Sequence, residues 1–551
     1  MLAMILTVAR IAHRRLDQRA LLPLLITVGA MPAEAQTPAQ PSGIGWATIE
    51  DLNAAFDSGE LTAERLIEIS LARIEAYDQA GPELHSMLWL NENALQRARE
   101  LDEERRRSGP RSLLHGIPVA LKDNVDTGDM PTTGGSALLA GAIPPDDAFI
   151  VKKLRDAGAI ILAKTALSEL ASGGILSSVG NYFPKNPHDP ARTPSGSSTG
   201  AGIAVAASFA QLGVGTDTGG SIRGPATDNG IVALRPSHGL LSHDGVIPLS
   251  ITLDMAGPMG RHVYDVAAML GVMTGIDPAD PTTRKSEGRF ETDYTQFLDA
   301  GALEGARIGI ARDFMGENDG VNWVIEAALG TMRAQGATVV DVRFPPWLLA
   351  VKGDWYFTVR YPEFRSQIED YLATLGPEYP KTLREMMERS DRIVALMPDG
   401  SRPNPVRWNI FREEEASGEL TDYEYVAMRE HGFPMVQAIV HGMLDAQDLD
   451  AIVYPPSNTP PALRSAVDHF GGMVGTNIAS LAGLPDLIVP AGFTRRGLPV
   501  GISFLGRAFS ESRLFALGYA FEQAARARRD PLHTPPLPGE NVPRPAGSGG
   551  S

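Results

Sequence analysis

TPSGSSTGAGIAVAASFAQLGVGTDTGGSIRGP, residues 193–225, decides how this chain is read. Two glycine–serine loops, TPSGSSTG (193–200) and GTDTGGSIRGP (215–225), enclose AGIAVAASFAQLG (201–213). The middle segment is small and apolar on nearly all sides, which suits a helix buried against a sheet. LGVGTD (212–217) reads as the strand that follows it. The order is loop, buried helix, strand, loop. Ser197 and Ser221 are 24 residues apart, enough for such an excursion to return the second loop to the first.

The same grammar extends outward. IPVALKD (117–123) reads as a short buried strand. Residues 147–157 read as a helix stopped by Gly158, followed by a strand AIILAKT (159–165). A helix at 325–335, Gly336 and a strand ATVVDV (337–342) repeat the pattern. RIGIA (307–311), AIVYP (451–455), DLIVPA (486–491) and GISFLG (501–506) are further strand-like runs. Strands alternating with helices predict an α/β fold with a mixed or parallel central sheet. Residues 62–78 predict a helix capped by Thr62, with Ile67, Leu71 and Ile74 on one face. The charge run DEERRR (102–107) reads as a solvated helix face.

Composition sets the outer bounds. The chain has 551 residues, 43% of them hydrophobic, so a large core can form and wholesale disorder is excluded. A net charge of −17 argues against non-specific binding of nucleic acid or anionic lipid. The absence of cysteine removes disulfides, thiolate metal sites and cysteine nucleophiles together. At the amino terminus, Arg10, Arg14, Arg15 and Arg19 precede the apolar run ALLPLLITVGA (20–30), and Ala33 and Ala35 form an A-x-A site. That order predicts a secretory signal peptide over 1–35 and an exported protein. The apolar run is too short for a stable membrane span. Residues 531–551, rich in Pro and Gly, read as a flexible tail.

Several features bear on chemistry. GSSTG (196–200) matches G-x-S-x-G with Ser198 at the nucleophile position. The approach KNPHDPARTPS (185–195) cannot be the central strand that such an elbow needs. Thr218-Gly219-Gly220-Ser221 presents successive backbone N–H groups that can face a developing oxyanion beside a serine hydroxyl. A serine nucleophile needs a base. His188, His238 and His243 lie in polar loops and read as surface residues. Lys122 ends a buried strand and precedes Asp123-Asn124. Burial favours its neutral form, and only a neutral amine accepts a proton.

Taken together, Lys122, SGSSTG (195–200) and GTDTGGSIRGP (215–225) resemble the amidase signature family. The resemblance runs from GIPVALKDNVDT (116–127) to DMAGPMGRHVYDVAAML (254–270) and resumes over residues 477–507. Residues 275–445 match weakly and are expected to form a variable, substrate-facing part. The resemblance implies an amidase signature fold, a single domain over 45–530 whose central mixed β-sheet is covered by helices on both faces. It implies a Ser–cis-Ser–Lys triad, with Ser221 as nucleophile, Ser197 as bridging serine beside a cis peptide, and Lys122 as base. Thr218, Gly219, Gly220 and Ser221 fall on the oxyanion hole, and Asp217 and Arg223 support the loop. No metal or organic cofactor is implied.

Ser195 and Thr199 occupy positions where the family commonly has glycine. Ala233-Leu234-Arg235-Pro236-Ser237 replaces a Gly-Leu-Lys-Pro-Thr run, and Asn229 stands where cysteine is frequent. The expected activity is hydrolysis of C–N acyl bonds in a small-molecule amide or carbamate, by a monomer or homodimer. A closer resemblance points to exported bacterial aryl-amidase and urethanase members. The alternatives are a peptide amidase acting on C-terminal amides and the A-type subunit of a glutamine-dependent amidotransferase. Trp347, Trp355, Tyr356, Phe357 and Trp408 in the variable part are either core or pocket lining.

Overall fold

The computed structural model describes residues 43–180, 183–396, 404–464 and 476–540. The expected signal peptide (1–35) and the tail beyond residue 540 lie outside the described residues.

Among the described residues, eleven strands form one sheet. They are β1 (Met87–Leu90), β2 (Pro118–Lys122), β3 (Ile160–Thr165), β4 (Leu212–Asp217), β5 (Val232–Arg235) and β6 (Met255–Gly260), then β7 (Arg307–Ala311), β8 (Thr338–Val342), β9 (Ala451–Tyr454), β10 (Asp486–Phe493) and β11 (Pro499–Leu505). The spatial order is β1-β3-β2-β4-β6-β5-β10-β11-β9-β7-β8. β2 runs parallel to β3 and β4, whereas β4, β6, β5, β10, β11 and β9 alternate in direction. The sheet is therefore mixed, one of the two arrangements left open by the strand–helix alternation and the one that the resemblance implies.

Side-chain alternation along β2 shows that both faces are covered. Val119 and Leu121 point into one core, shared with helix α2 (Val263–Met273). Ala120 points into another, shared with Ile203 and Ala204 of α1 (Thr199–Ala206). All eight residues of α1 are buried, as the small apolar run requires. A methyl group added at Gly200 would lie 2.4 Å from Ser86 O and 2.6 Å from Ala166 N, so this helix needs glycine to reach the sheet. Thr62 caps the helix Ala63–Arg73 by accepting from Arg65 N, and Gly158 and Gly336 adopt positive φ after their helices.

β1, β5 and β6 lack a clear sequence signal. β6 reads MAGPMG, a composition that argues against a central strand. Two local facts permit it. β5 pairs with β6 only at Met259 and Gly260, so Pro258 stands outside that ladder. A Cβ at Gly257 would sit 2.2 Å from Leu234 O, so β5 approaches closer than any side chain allows.

The flexible-tail expectation needs correction over residues 531–540. Buried Arg73 donates to Thr534 O at 2.8 Å and pairs with Glu540 at 2.6 Å. A guanidinium taken out of water needs these acceptors, and the chain end supplies them.

The tight contact at Gly200 gives a direct test. Gly200→Ala should destabilise the protein by about 1–3 kcal/mol, the usual cost of overpacking, despite alanine's better helix propensity. Thermal denaturation of the purified variant checks this.

Candidate active site

β2 and β4 are parallel neighbours, so their carboxyl ends lie side by side. Lys122 is the last residue of β2, and Asp217 the last of β4, leading directly into Thr218-Gly219-Gly220-Ser221. The loop before α1 carries Ser197, which follows a cis Gly196–Ser197 peptide bond. Ser195 holds a φ of 63°, a backbone region where glycine is unstrained, which explains the family's preference there.

Lys122 is fully buried. Its Nζ lies 2.7 Å from Ser197 Oγ, 2.7 Å from Thr216 Oγ1 and 3.2 Å from Thr216 O. Burial pushes its pKa down from 10.5 to about 7, against the opposing pull of the Asp217 and Asp254 carboxylates. A neutral amine has two N–H groups and one lone pair. The two oxygens of Thr216 can accept both N–H groups, which leaves the lone pair for Ser197. Asn124 Nδ2 donates to Thr216 Oγ1 at 3.0 Å and fixes that hydroxyl. Lys164, on the adjacent β3, is equally buried but has Asp123 at 3.4 Å. Among the described residues, the two lysines differ in having or lacking a counter-ion within salt-bridge distance.

The two serine loops are tied together. Ser198 N donates to Ser221 O at 3.0 Å, and Ser168 N donates to Ser197 O at 3.1 Å. Ser198 Oγ donates to Thr216 O at 3.1 Å and accepts from Thr216 N at 3.2 Å. Ser198 is thus a buried fastener between loop and strand, as its unsuitability for an elbow implied.

Asp217 shapes the turn from within. Its carboxylate accepts from Gly220 N at 2.9 Å and Ile222 N at 3.0 Å, and pairs with Arg223 at 2.9 Å and Arg235 at 3.3 Å. Burial alone would raise its pKa, but the two guanidinium groups outweigh that and hold it well below the usual carboxylate range. Arg223 also reaches Asp486 at 3.0 Å. Gly220 corrects one expectation. Its N–H is taken by Asp217, so it serves the turn's shape and is not an open oxyanion donor. Its φ of 125° is a second reason for glycine there.

Other residues of the site carried little or no role in the sequence reading. Thr216 and Asn124 organise the amine. Arg235 had a weak signal in its Leu-Arg-Pro run. Asp254 accepts from Thr218 Oγ1 at 2.5 Å, and its pKa is raised by burial. Tyr356, on the long helix α3 (Pro346–Thr374), packs over the turn: a Cβ at Gly219 would lie 3.1 Å from its ring.

The variable-region aromatics divide. Trp408 is core, with Nε1 donating to Glu169 at 2.9 Å, and Trp347 and Phe357 are about half exposed. Trp355 packs on Trp347 and on the core beneath. The histidines also depart from expectation, because none is a plain surface residue. His188 contacts Asn229 O at 3.0 Å, His238 contacts Ile251 O at 3.0 Å, and His243 lies between Asp280 and Asp254 O. Burial lowers His188 to about 4 and His238 to about 3. Each polar loop folds back onto the body, which hydropathy does not reveal. A cavity of about 660 Å³ between Arg192, Trp323 and Arg495 contains none of the site residues.

Lys122 should leave a signature in stability. Its folded pKa lies below the unfolded one, so the unfolded chain binds more protons between pH of about 7 and 10.5, and stability rises with pH there. Lys122→Met should remove that rising component. Denaturant melts across this range, wild type against variant, measure it.

The Amidase family profile matches residues 65–515. The native peptide amidase from Stenotrophomonas maltophilia superposes with a TM-score of 0.82 at 38% identity, covering 89% of this chain and 99% of that one. An amidase family protein from Bacillus anthracis gives a TM-score of 0.78 at 33% identity, over 88% and 92% of the two chains. The A-type subunit of glutamyl-tRNA(Gln) amidotransferase from Microcystis aeruginosa is 33% identical over 488 residues, 87% of this chain and 97% of the relative. Fold, family profile and full-length relatives agree, and the chain belongs to the amidase family.

Proposed function

We propose that this amidase cleaves C–N acyl bonds through an acyl-enzyme on Ser221, with Ser197 as proton relay and Lys122 as base. The observation that carries the reading is a buried amine with no carboxylate partner among the described residues, 2.7 Å from the Ser197 hydroxyl. Neutral Lys122 takes the Ser197 proton while Ser197 takes that of Ser221. The Ser221 Oγ then attacks the acyl carbon. Charge on the carbonyl oxygen is met by backbone N–H groups of the turn at Thr218, Gly219 and Ser221, with Asp217, Arg223 and Gly220 holding its shape. The proton returns through Ser197 to the leaving nitrogen, the C–N bond breaks, and water releases the acid by the same route.

Ser221→Ala should abolish turnover with the fold intact by circular dichroism. Ser197→Ala and Lys122→Ala should each lower kcat by orders of magnitude. In wild type, activity should rise with pH through about 7, as Lys122 loses its proton. That limb should vanish in Lys122→Ala. Full turnover in Ser221→Ala, or an unchanged limb in Lys122→Ala, refutes the assignment.

For the substrate, Tyr356 is the aromatic that meets the oxyanion turn, which supports an aryl or otherwise apolar acyl partner. Aryl amides and urethanes fit this reading. C-terminal peptide amides are the second reading, favoured by the likeness to the Stenotrophomonas peptide amidase. A panel of aryl, aliphatic and peptide amides and carbamates separates them. Tyr356→Ala should shift the aryl-to-aliphatic ratio of kcat/KM by roughly tenfold, because it removes aromatic burial at the turn. Trp408→Ala should instead lower stability and reduce both activities together. The reading includes export with cleavage after Ala35, which mass spectrometry of the amino terminus from the native host would test.

A further inference from the structure

Two consecutive glycines at 219–220 give the turn close backbone approach but little intrinsic rigidity. An oxyanion hole works only if its donors are fixed before the charge forms. The turn therefore needs side-chain anchors at both ends. Asp217 anchors one, by accepting from Gly220 N and Ile222 N.

The other end is held by Asp254. Asp217 pairs with Met255 across the β4–β6 ladder, so Asp254 stands opposite Thr218 where the sheet's own hydrogen bonds stop. Its Oδ1 accepts from Thr218 Oγ1 at 2.5 Å, and its Oδ2 accepts from Leu249 N at 2.8 Å and Ser250 N at 2.9 Å. The 249–254 loop is fastened in turn to α3. Glu363 Oε2 accepts from Ser250 Oγ at 2.6 Å and Thr252 N at 3.1 Å, and its Oε1 accepts from Tyr425 OH at 2.9 Å. Helix α3 thus reaches the turn twice, through Tyr356 on Gly219 and through Glu363, the loop and Asp254 on Thr218.

We propose that Asp254 is a positioning residue for the oxyanion turn, acting through the Thr218 hydroxyl and braced by Glu363 on α3. This rests on the reading of residues 218–221 as the oxyanion turn. Asp254 makes no contact with the reacting atoms. It sets the direction of the donors by removing one end of the Gly-Gly segment's freedom. A merely structural carboxylate would matter for folding and leave transition-state binding alone.

The test uses the full-length enzyme with Thr218→Val, which keeps the side-chain shape and removes the hydroxyl, and Thr218→Ser, which restores it. Each is measured for kcat and KM on the best amide of the panel. Each is also measured for inhibition by a peptide aldehyde, which forms a tetrahedral oxyanion adduct on the serine, and by the matching peptide alcohol, which cannot. Thr218→Val should lower kcat roughly tenfold or more with KM little changed. Aldehyde affinity should fall by a similar factor, alcohol affinity should hold, and Thr218→Ser should recover both losses. Asp254→Ala should lower kcat and aldehyde affinity at least as far, and combining it with Thr218→Val should cost less than the sum of the two alone, because both remove the Thr218–Asp254 hydrogen bond while Asp254→Ala also frees the Leu249 and Ser250 amides. Wild-type kcat in Thr218→Val, or equal losses for aldehyde and alcohol, overturns the proposal while leaving the triad untouched. Turnover in Ser221→Ala would instead overturn the underlying reading of the turn.

Discussion

An amine buried without a counter-ion is the constraint around which this enzyme is arranged. Lys122 is removed from water by β3, β4 and α1, and no carboxylate lies within salt-bridge distance of it among the described residues. Desolvation opposes its charged form and brings its pKa down to about 7, so the neutral amine predominates only above that pH. Lys164 shows what the same residue does with a partner: Asp123 lies at 3.4 Å and Thr132 Oγ1 accepts at 2.6 Å. On the proposed mechanism, the difference between the lysine that acts as base and the one that only pairs lies in one neighbour. On that reading the sheet carries the cost of Lys122 in exchange for activity, the usual trade between stability and function.

Charge of the opposite sign solves a second problem. A Gly-Gly turn cannot hold its own geometry, and here two buried carboxylates bracket it. Asp217 is compensated by Arg223 and Arg235, with Asp486 behind Arg223. Asp254 is compensated by hydrogen-bond donors, a hydroxyl and two backbone amides. A buried charge that lost these partners would cost several kcal/mol, of the order of 3–5. The pairs therefore fix a conformation more than they add net stability.

The variable region is less separate from the chemistry than its weak family match suggests. The helix Asp319–Ala334 packs into the main core. Helix α3 lies against the Thr218–Ser221 turn through Tyr356, and through Glu363 it braces the 249–254 loop. On the proposed reading, changes on α3 reach both substrate fit and oxyanion geometry, whereas changes at Trp408 act on packing.

Periodicity and local composition made most of the fold legible. β4 and β7 fall where their runs LGVGTD and RIGIA placed them, because a buried strand bounded by turn residues leaves a plain local signature. The buried α1, Lys122 at a strand end and the two serine loops were equally legible, since each is a property of a short segment. What needed the tertiary structure was every relation between segments. MAGPMG is a strand because Leu234 approaches Gly257 and β5 stops short of Pro258. Gly220 lost its place as a donor to a side chain three residues before it, and the histidines of polar loops turned out to be packed. Thr216, Asp254 and Glu363 could not be singled out, since a hydrogen bond between distant positions writes no pattern into either neighbourhood, and Arg235 and Tyr356 were noted without their partners at the turn. The sequence determined which groups could do the chemistry. The fold decided which of them lost water, which found a counter-ion, and which were left to exchange a proton.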